Sequence, residues 1–359
     1  MSKQRESNIE LLRVIAIFLV LVVHVNMLRK GIGIPGLTDM QQAFVPTVTR
    51  VFFISVAYIC VDVFIIISGW YGIHASLRGM CKLMFMCVFL GMLGYVIGLW
   101  HGAWIGFSVG SFAKTLFDSV FPGWFIAAYI MMYVFAPVVN AFMERCTEQQ
   151  VRYVLISFFS LEFMYGWVFP EGSGNPYTFI SGYSTLSLIG LYALARYLKV
   201  FVYDCKKQSI IGKMFTLGGA KSWLLLWGGI VIFDVLLWCL MTYMGIGQIS
   251  SRIFTYTNPM IIAQSVAMFM FFKNVQLRPN RFVNWLGASS LAVLIVHGYL
   301  GCEPFLAGAR YIYQNYNGIM CLVVMFLFIS TVFMLAIIID QFRIFCWEKL
   351  EPLVPNIRI

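Results

Sequence analysis

The sequence predicts an all-α fold, a polytopic membrane helix bundle of about ten transmembrane helices with both termini on the cytoplasmic side. Three observations carry that reading. Of 359 residues, 61% are hydrophobic and 11% charged, against about 45–50% and about 25% in an average soluble domain, so too few polar groups remain to cover a water-facing surface. Apolar stretches near the roughly 20 residues that cross a hydrocarbon core recur along the chain. The basic residues, finally, fall unequally on the two sides that those stretches define. A soluble globular protein and a disordered chain are both excluded.

Ten segments qualify as spans: 9–28, 51–72, 82–100, 124–143, 151–170, 178–200, 222–245, 256–273, 282–301 and 318–340. The first four, the seventh and the tenth are the clearest. Ser and Gly interrupt the sixth and ninth, and the eighth contains Pro259, which blurs their edges. The first run carries Arg13 and lacks a small-x-small cleavage site, so it reads as a retained span and not a signal peptide. With the N-terminus inside, only Arg29, Lys30, Arg50, Lys114, Arg252 and Arg310 lie outside, leaving 19 of the 25 basic residues on the inner side. That is the excess expected of cytoplasmic loops, and it accounts for the net charge of +10 without nucleic acid.

At about 20 residues each, the spans take up more than half the chain. Residues 1–359 therefore read as a single integral-membrane domain with no separate soluble domain. The loop from His101 to Gly123 mixes Trp104, Phe107, Phe112 and Phe117 with Gly and one Lys, and is expected along the membrane surface. Gly31 to Gly36 and Gly172 to Pro176 read as outer turns. Nine Cys are scattered without a C-x-x-C pair, which indicates neither a disulfide framework nor a metal site.

Charges inside a bilayer are costly and usually face a partner or a cavity. The spans carry few: Glu10, Arg13 and His24 in the first, then Asp62, Glu162, Asp234 and His297. Arg13 and His24 are the most informative pair. Eleven helical steps turn through about 1100°, roughly 20° past three full turns, so both side chains leave one face about 16 Å apart. Glu10 stands three residues before Arg13, within pairing reach. At 1.5 Å per residue, His24 and His297 come out near one level, about 22 Å from the inner side, with Asp62, Glu162 and Asp234 near about 15–18 Å. Each group also has a plainer reading: Arg13 as a snorkelling anchor, His24 and the carboxylates as helix-packing hydrogen bonders. For His297 the plainer reading is favoured, because Gly298 and Tyr299 mark a helix end.

Glu10-Leu11-Leu12-Arg13-Val14-Ile15-Ala16, with His24 eleven residues after Arg13, resembles the hallmark of the acyltransferase-3 family, bacterial integral-membrane O-acyltransferases. Asp62-Val63-Phe64-Ile65-Ile66-Ile67-Ser68-Gly69-Trp70 is similar to the family's second-span signature, with Ile65 in place of its second Phe. Gly123-Trp124-Phe125 with Tyr129 and Pro137, and Leu286-Gly287 with Ser290-Leu291 leading to His297, are similar to its middle and late regions. Where the family carries closely spaced arginines after Ser68-Gly69, this chain has Arg78 and Lys82.

The resemblance implies transfer of an acyl group, usually acetyl from acetyl-CoA, to a hydroxyl of a cell-envelope polysaccharide or lipid-linked glycan. The enzyme would be a multi-pass protein of the bacterial cytoplasmic (inner) membrane. It implies no permanently bound cofactor, acyl-CoA as donor, membrane lipid as surroundings and no nucleic-acid partner. Arg13, held by Glu10, with Arg78 and Lys82 would meet the donor's phosphates. His24 would act as general base or transient acyl carrier, with Asp62 or Glu162 orienting its ring. His297, Ser68 and Trp124 are further candidates, although no G-x-S-x-G elbow surrounds Ser68 and Ser68-Gly69 reads as close helix packing. A transporter or flippase of a lipid-linked glycan is the alternative, in which the mid-depth polar groups mark a substrate path; a glycan polymerase or a purely structural membrane partner is the third reading.

Overall fold

The computed structural model describes residues 6–28, 31–100, 107–120, 123–169, 180–205, 213, 215, 218–246, 250, 252–299 and 302–358. Among them the chain is all-helical. In order, the helices are α1 (Ser7–Met27), α2 (Leu37–Gln42), α3 (Phe44–Ala57), α4 (Cys60–Tyr71) and α5 (Leu77–Trp100). Next come α6 (Val109–Asp118), α7 (Gly123–Arg145), α8 (Glu148–Glu162), α9 (Thr185–Tyr197) and α10 (Ala220–Tyr243). Last are α11 (Pro259–Asn274), α12 (Arg281–Ala288), α13 (Ser290–Tyr299), α14 (Cys302–Asn315) and α15 (Gly318–Leu350). α8 and α9 each end in a π-helical turn, Phe163–Val168 and Leu198–Tyr203.

Seven of these stretches are long and apolar enough to cross a membrane, with α3 and α4 counted as one 28-residue span, and the chain is a multi-pass membrane protein. The number rises to 8 if α13 and α14, bent by 87° at their junction, form one span. Among the described residues this length and hydropathy measure gives fewer than the ten expected, and each difference has a physical cause. α8 opens on Glu148, Gln149, Gln150 and Arg152 and ends at Glu162, too polar a window for an unaided span. α11 starts at Pro259, whose missing N–H suits the first helical position, with Asn258 accepting from the Met260 N–H at 3.0 Å. Its 16 residues reach about 24 Å, short of the roughly 30 Å core. The ninth expected span is divided at Ser289 into α12 and α13.

The second span starts at Phe44, earlier than its apolar run indicates. Arg50 is accommodated there by donating to the Gly33 carbonyl and lying 5.0 Å over the Tyr313 ring. Within the expected surface loop, residues 101–106 and 121–122 lie outside the described residues. The part between them forms α6, capped by Ser108, with Val109 and Phe117 exposed. Gly172 to Pro176 also lies outside the described residues.

Hydrogen bonds at the two ends set the direction of the passes. At the end holding the start of α1, Tyr71 donates to Glu6 (2.8 Å), Lys273 pairs with Glu6 (2.7 Å), Asn8 donates to the Phe272 carbonyl (2.9 Å) and Asn140 to the Ile73 carbonyl (3.0 Å). At the other end, Trp167 donates to the Arg252 carbonyl (3.0 Å) and the Tyr256 N–H to the Ser181 carbonyl (3.2 Å). α8 shows the same alternation although it is no unaided span, since Tyr197 bonds Glu148 at its start and Trp167 follows its end.

α1 occupies the middle of the bundle and packs against α3, α4, α11, α12, α13, α14 and α15. Leu12, Ile17 and Leu21 are sealed from solvent in its interior face. α4 connects α1 to α9 and α11. Its Gly69 faces α9 so closely that a Cβ would lie 2.5 Å from the Tyr192 carbonyl oxygen. That is the role of small residues at membrane helix crossings, and it agrees with the packing reading of Ser68-Gly69.

Candidate active site

The two polar side chains of α1 open toward different surroundings at its two ends. Near its start, Arg13 Nη1 donates to Glu10 Oε1 at 2.7 Å. Glu10 is buried, whereas the Arg13 side chain is 34% exposed. α12 approaches this pair so closely that a Cβ on Gly287 would strike the Glu10 carboxylate. Across from Arg13, Ser68 donates to the Phe64 carbonyl (2.9 Å) and lies 3.4 Å from the Tyr129 hydroxyl. Ser68 thus links α4 to α7, and α4 in turn packs on α1.

The other expected donor contacts are less free. Arg78 Nε and Nη2 donate to the Val354 carbonyl at 3.1 and 2.9 Å, so part of that guanidinium is engaged by its own chain. Lys82 is exposed on α5. No hydrogen bond or ion pair among the described residues joins either one to Arg13. The sequence reading passed over a further guanidinium at this end: Arg196 of α9 lies against Gly72, whose φ of +74° shapes the α4–α5 turn, and its Nε is buried without a hydrogen-bond partner. Tyr192 and Asn140 hold that turn in a closed ring. The Ile73 N–H donates to the Tyr192 hydroxyl (2.9 Å), that hydroxyl to Asn140 Oδ1 (2.9 Å), and Asn140 to the Ile73 carbonyl (3.0 Å).

Toward the other end of α1, the two imidazoles that helical rise puts at one level touch. His24 Nδ1 lies 2.6 Å from His297 Nε2, with ring centroids 4.8 Å apart. His297 Nδ1 lies 2.9 Å from the Val293 carbonyl one turn earlier in α13, and the edge of the Phe305 ring closes on His297 at 5.9 Å. His297 is buried and His24 half-buried. His24 Nε2 bonds to no protein atom among the described residues. The ring partner of His24 is thus a second histidine, 273 positions away, which no local pattern could disclose.

Neither Asp62 nor Glu162 hydrogen-bonds His24 among the described residues, so the expected carboxylate partner is not what holds its ring here. The Glu6–Tyr71 bond sets the antiparallel register of α1 and α4. It puts Asp62 opposite about residue 15, roughly 14 Å short of His24 along the axis. Both Asp62 carboxylate oxygens and Glu162 Oε1 are buried without a hydrogen-bond partner, and the two carboxyl groups are neighbours. An aromatic column lies beside them. Trp124 packs on Tyr183 (4.6 Å), Tyr183 on Tyr256 (5.2 Å) and Tyr256 on Tyr58 (4.7 Å, stacked), with the Tyr58 and Tyr183 hydroxyls 3.2 Å apart. Of these rings only Trp124 stood out in the sequence. Asp234 has a simpler part: Gln264 donates to it, tying α10 to α11.

α1 thus carries a guanidinium toward one end and an imidazole paired with a second histidine toward the other. Comparison with known proteins bears on the reaction. Neither a curated protein nor a solved structure matches the chain. A model of the acyltransferase-3 family, described as an acyltransferase domain, matches residues 6–340, nearly the whole chain. The match takes in α1, the paired histidines and most of α15, and the chain belongs to the acyltransferase-3 family of membrane acyltransferases.

Proposed function

We propose that the protein is an O-acyltransferase of the bacterial inner membrane, moving an acyl group, acetyl in the simplest case, from acyl-CoA to a hydroxyl of a cell-envelope polysaccharide or lipid-linked glycan. The observation that carries the reading is His24, bonded through one ring nitrogen and open at the other, on the same helix as Arg13. The end holding Arg13 gathers most of the basic residues and faces the cytoplasm on the charge rule, where CoA esters are made. Arg13 meets the donor's phosphates, with Arg196 as a second guanidinium beside the α4–α5 turn and Lys82 on the rim; guanidinium forks suit phosphate oxygens. The pantetheine arm follows α1 toward the other end.

There the acceptor hydroxyl gives its proton to His24 Nε2 as its oxygen attacks the thioester carbonyl carbon. The C–S bond breaks, an ester C–O bond replaces it, and the thiolate leaves with the proton that His24 returns. Atoms and charge balance without a co-reactant. The unpartnered oxygens of Asp62 and Glu162, beside the Tyr58–Tyr256 stack, are the groups best able to accept hydrogen bonds from an incoming polyol once it opens this region. The same mid-depth carboxylates are what the second reading, a flippase of a lipid-linked glycan, would use. The two are separated with purified protein in nanodiscs. Transfer requires acyl-CoA, releases free thiol and adds acyl mass to the glycan; a flippase moves the glycan between leaflets with its mass unchanged.

A further inference from the structure

We infer that His297 is the positioning residue for His24, fixing the neutral ring in the tautomer that carries its proton on Nδ1 and its lone pair on Nε2. The inference deepens the acyl-transfer reading and rests on it for the chemistry, though not for the geometry. The chain of reasoning starts at Val293. A carbonyl oxygen only accepts, so the nitrogen 2.9 Å away, His297 Nδ1, carries a proton. A neutral imidazole has one N–H, so His297 Nε2 holds a lone pair. It faces His24 Nδ1 at 2.6 Å. If His24 Nδ1 were also bare, two lone pairs would oppose each other beside a buried ring, losing a hydrogen bond where water cannot replace it. His24 Nδ1 therefore donates, and Nε2 is the nitrogen left to take a proton.

The same bond has a second effect. When the acceptor's proton arrives at His24 Nε2, the ring becomes an imidazolium whose Nδ1–H now makes a charge-assisted bond to His297, and such bonds are roughly twice as strong as neutral ones. That proton shifts toward His297 Nε2 while His297 Nδ1–H stays on the Val293 carbonyl, so the charge is spread over two rings. It withdraws when Nε2 returns its proton to the departing thiolate. In a serine-type triad a carboxylate has this task; here a neutral ring backed by a helix carbonyl performs it, so the resting site needs no buried negative charge beside the base.

The test uses the full chain in nanodiscs with ¹⁵N-labelled histidine. There are only 4 histidines, His24, His74, His101 and His297, so single substitutions assign every ring. His24 Nε2 is expected to show the shift of a bare nitrogen and Nδ1 that of a protonated one, coupled through the hydrogen bond to His297 Nε2. His297→Gln, which keeps an acceptor oxygen but takes up no proton, should fall between the wild type and His297→Leu in kcat. His297→Leu, which keeps none, should lose about 10²-fold in kcat with donor KM unchanged. A wild-type spectrum with Nδ1 bare overturns the inference, as does a His297→Leu variant that transfers at full rate. Should the leucine variant not fold, the wild-type spectrum decides. Should no acyl-CoA be turned over while the spectrum is as expected, the tautomer stands and the acyl-transfer reading falls.

Discussion

Two pairs of ionisable groups lie inside this bundle, and they are built in opposite ways. The histidines face each other across α1 and α13 with a defined bond at 2.6 Å and a carbonyl behind the second ring. The carboxylates Asp62 and Glu162 sit deeper, with three of their oxygens unpartnered and with aromatic rings for neighbours. Buried polar groups are normally satisfied. A pair that is satisfied holds its geometry before any substrate arrives, whereas a pair that is not has bonding capacity in reserve for something that comes later. The histidines are organised in advance for a proton. The carboxylates are organised for a visitor.

Breaking that contrast from its strong side has the largest effect. His24→Gln should lower kcat by about 10³-fold, the range in which a lost general base falls, with unchanged insertion and melting behaviour; single-turnover acyl transfer is the measurement, and an active variant would refute the role of the imidazole. The reserve pair should respond the other way in stability. Asp62→Leu removes a buried polar group that no protein atom satisfies, and should raise thermal stability by about 1–3 kcal/mol while weakening acceptor use, a trade-off typical of functional sites. Equal losses of stability and turnover would show that Asp62 is a structural bond donor's partner instead. Arg13→Lys keeps the charge but not the fork, and donor KM should rise about tenfold with kcat nearly unaltered; unaltered donor affinity would remove Arg13 from phosphate recognition. Smallest is Asn140→Ala, which opens the Tyr192–Asn140–Ile73 ring and should cost about 1 kcal/mol of stability, read as a lower melting temperature with transfer preserved.

The parts of this molecule legible in its sequence are those encoded within one helix. Arg13 and His24 share a stripe because helical spacing says so, and Glu10 pairs with Arg13 at the distance a single turn allows. Span positions follow from apolar length. Edges shifted where tertiary bonds overrode composition, as at Phe44, carried by the Arg50 contacts, and at Pro259, where an Asn cap began the helix late. What stayed hidden needed partners far apart in the chain. His297 looked like a helix-end residue, and its meeting with His24 depends on α13 packing against α1. Tyr192 and Arg196 became visible as site neighbours only through the close approaches of Gly69 and Gly72 to α9, and the Tyr58, Tyr183 and Tyr256 column draws on three separate segments.

The central place of α1 has a consequence for how the protein is made. This helix leaves the ribosome long before α11 to α15, yet those five supply most of its neighbours, and His24 waits through 273 positions of synthesis for its partner. During that interval an arginine, a glutamate and an imidazole sit on a helix whose protein sheath has yet to arrive. Truncation before α13 should therefore leave not a weakened enzyme but a membrane segment exposing polar groups to lipid, a natural substrate for quality-control proteolysis.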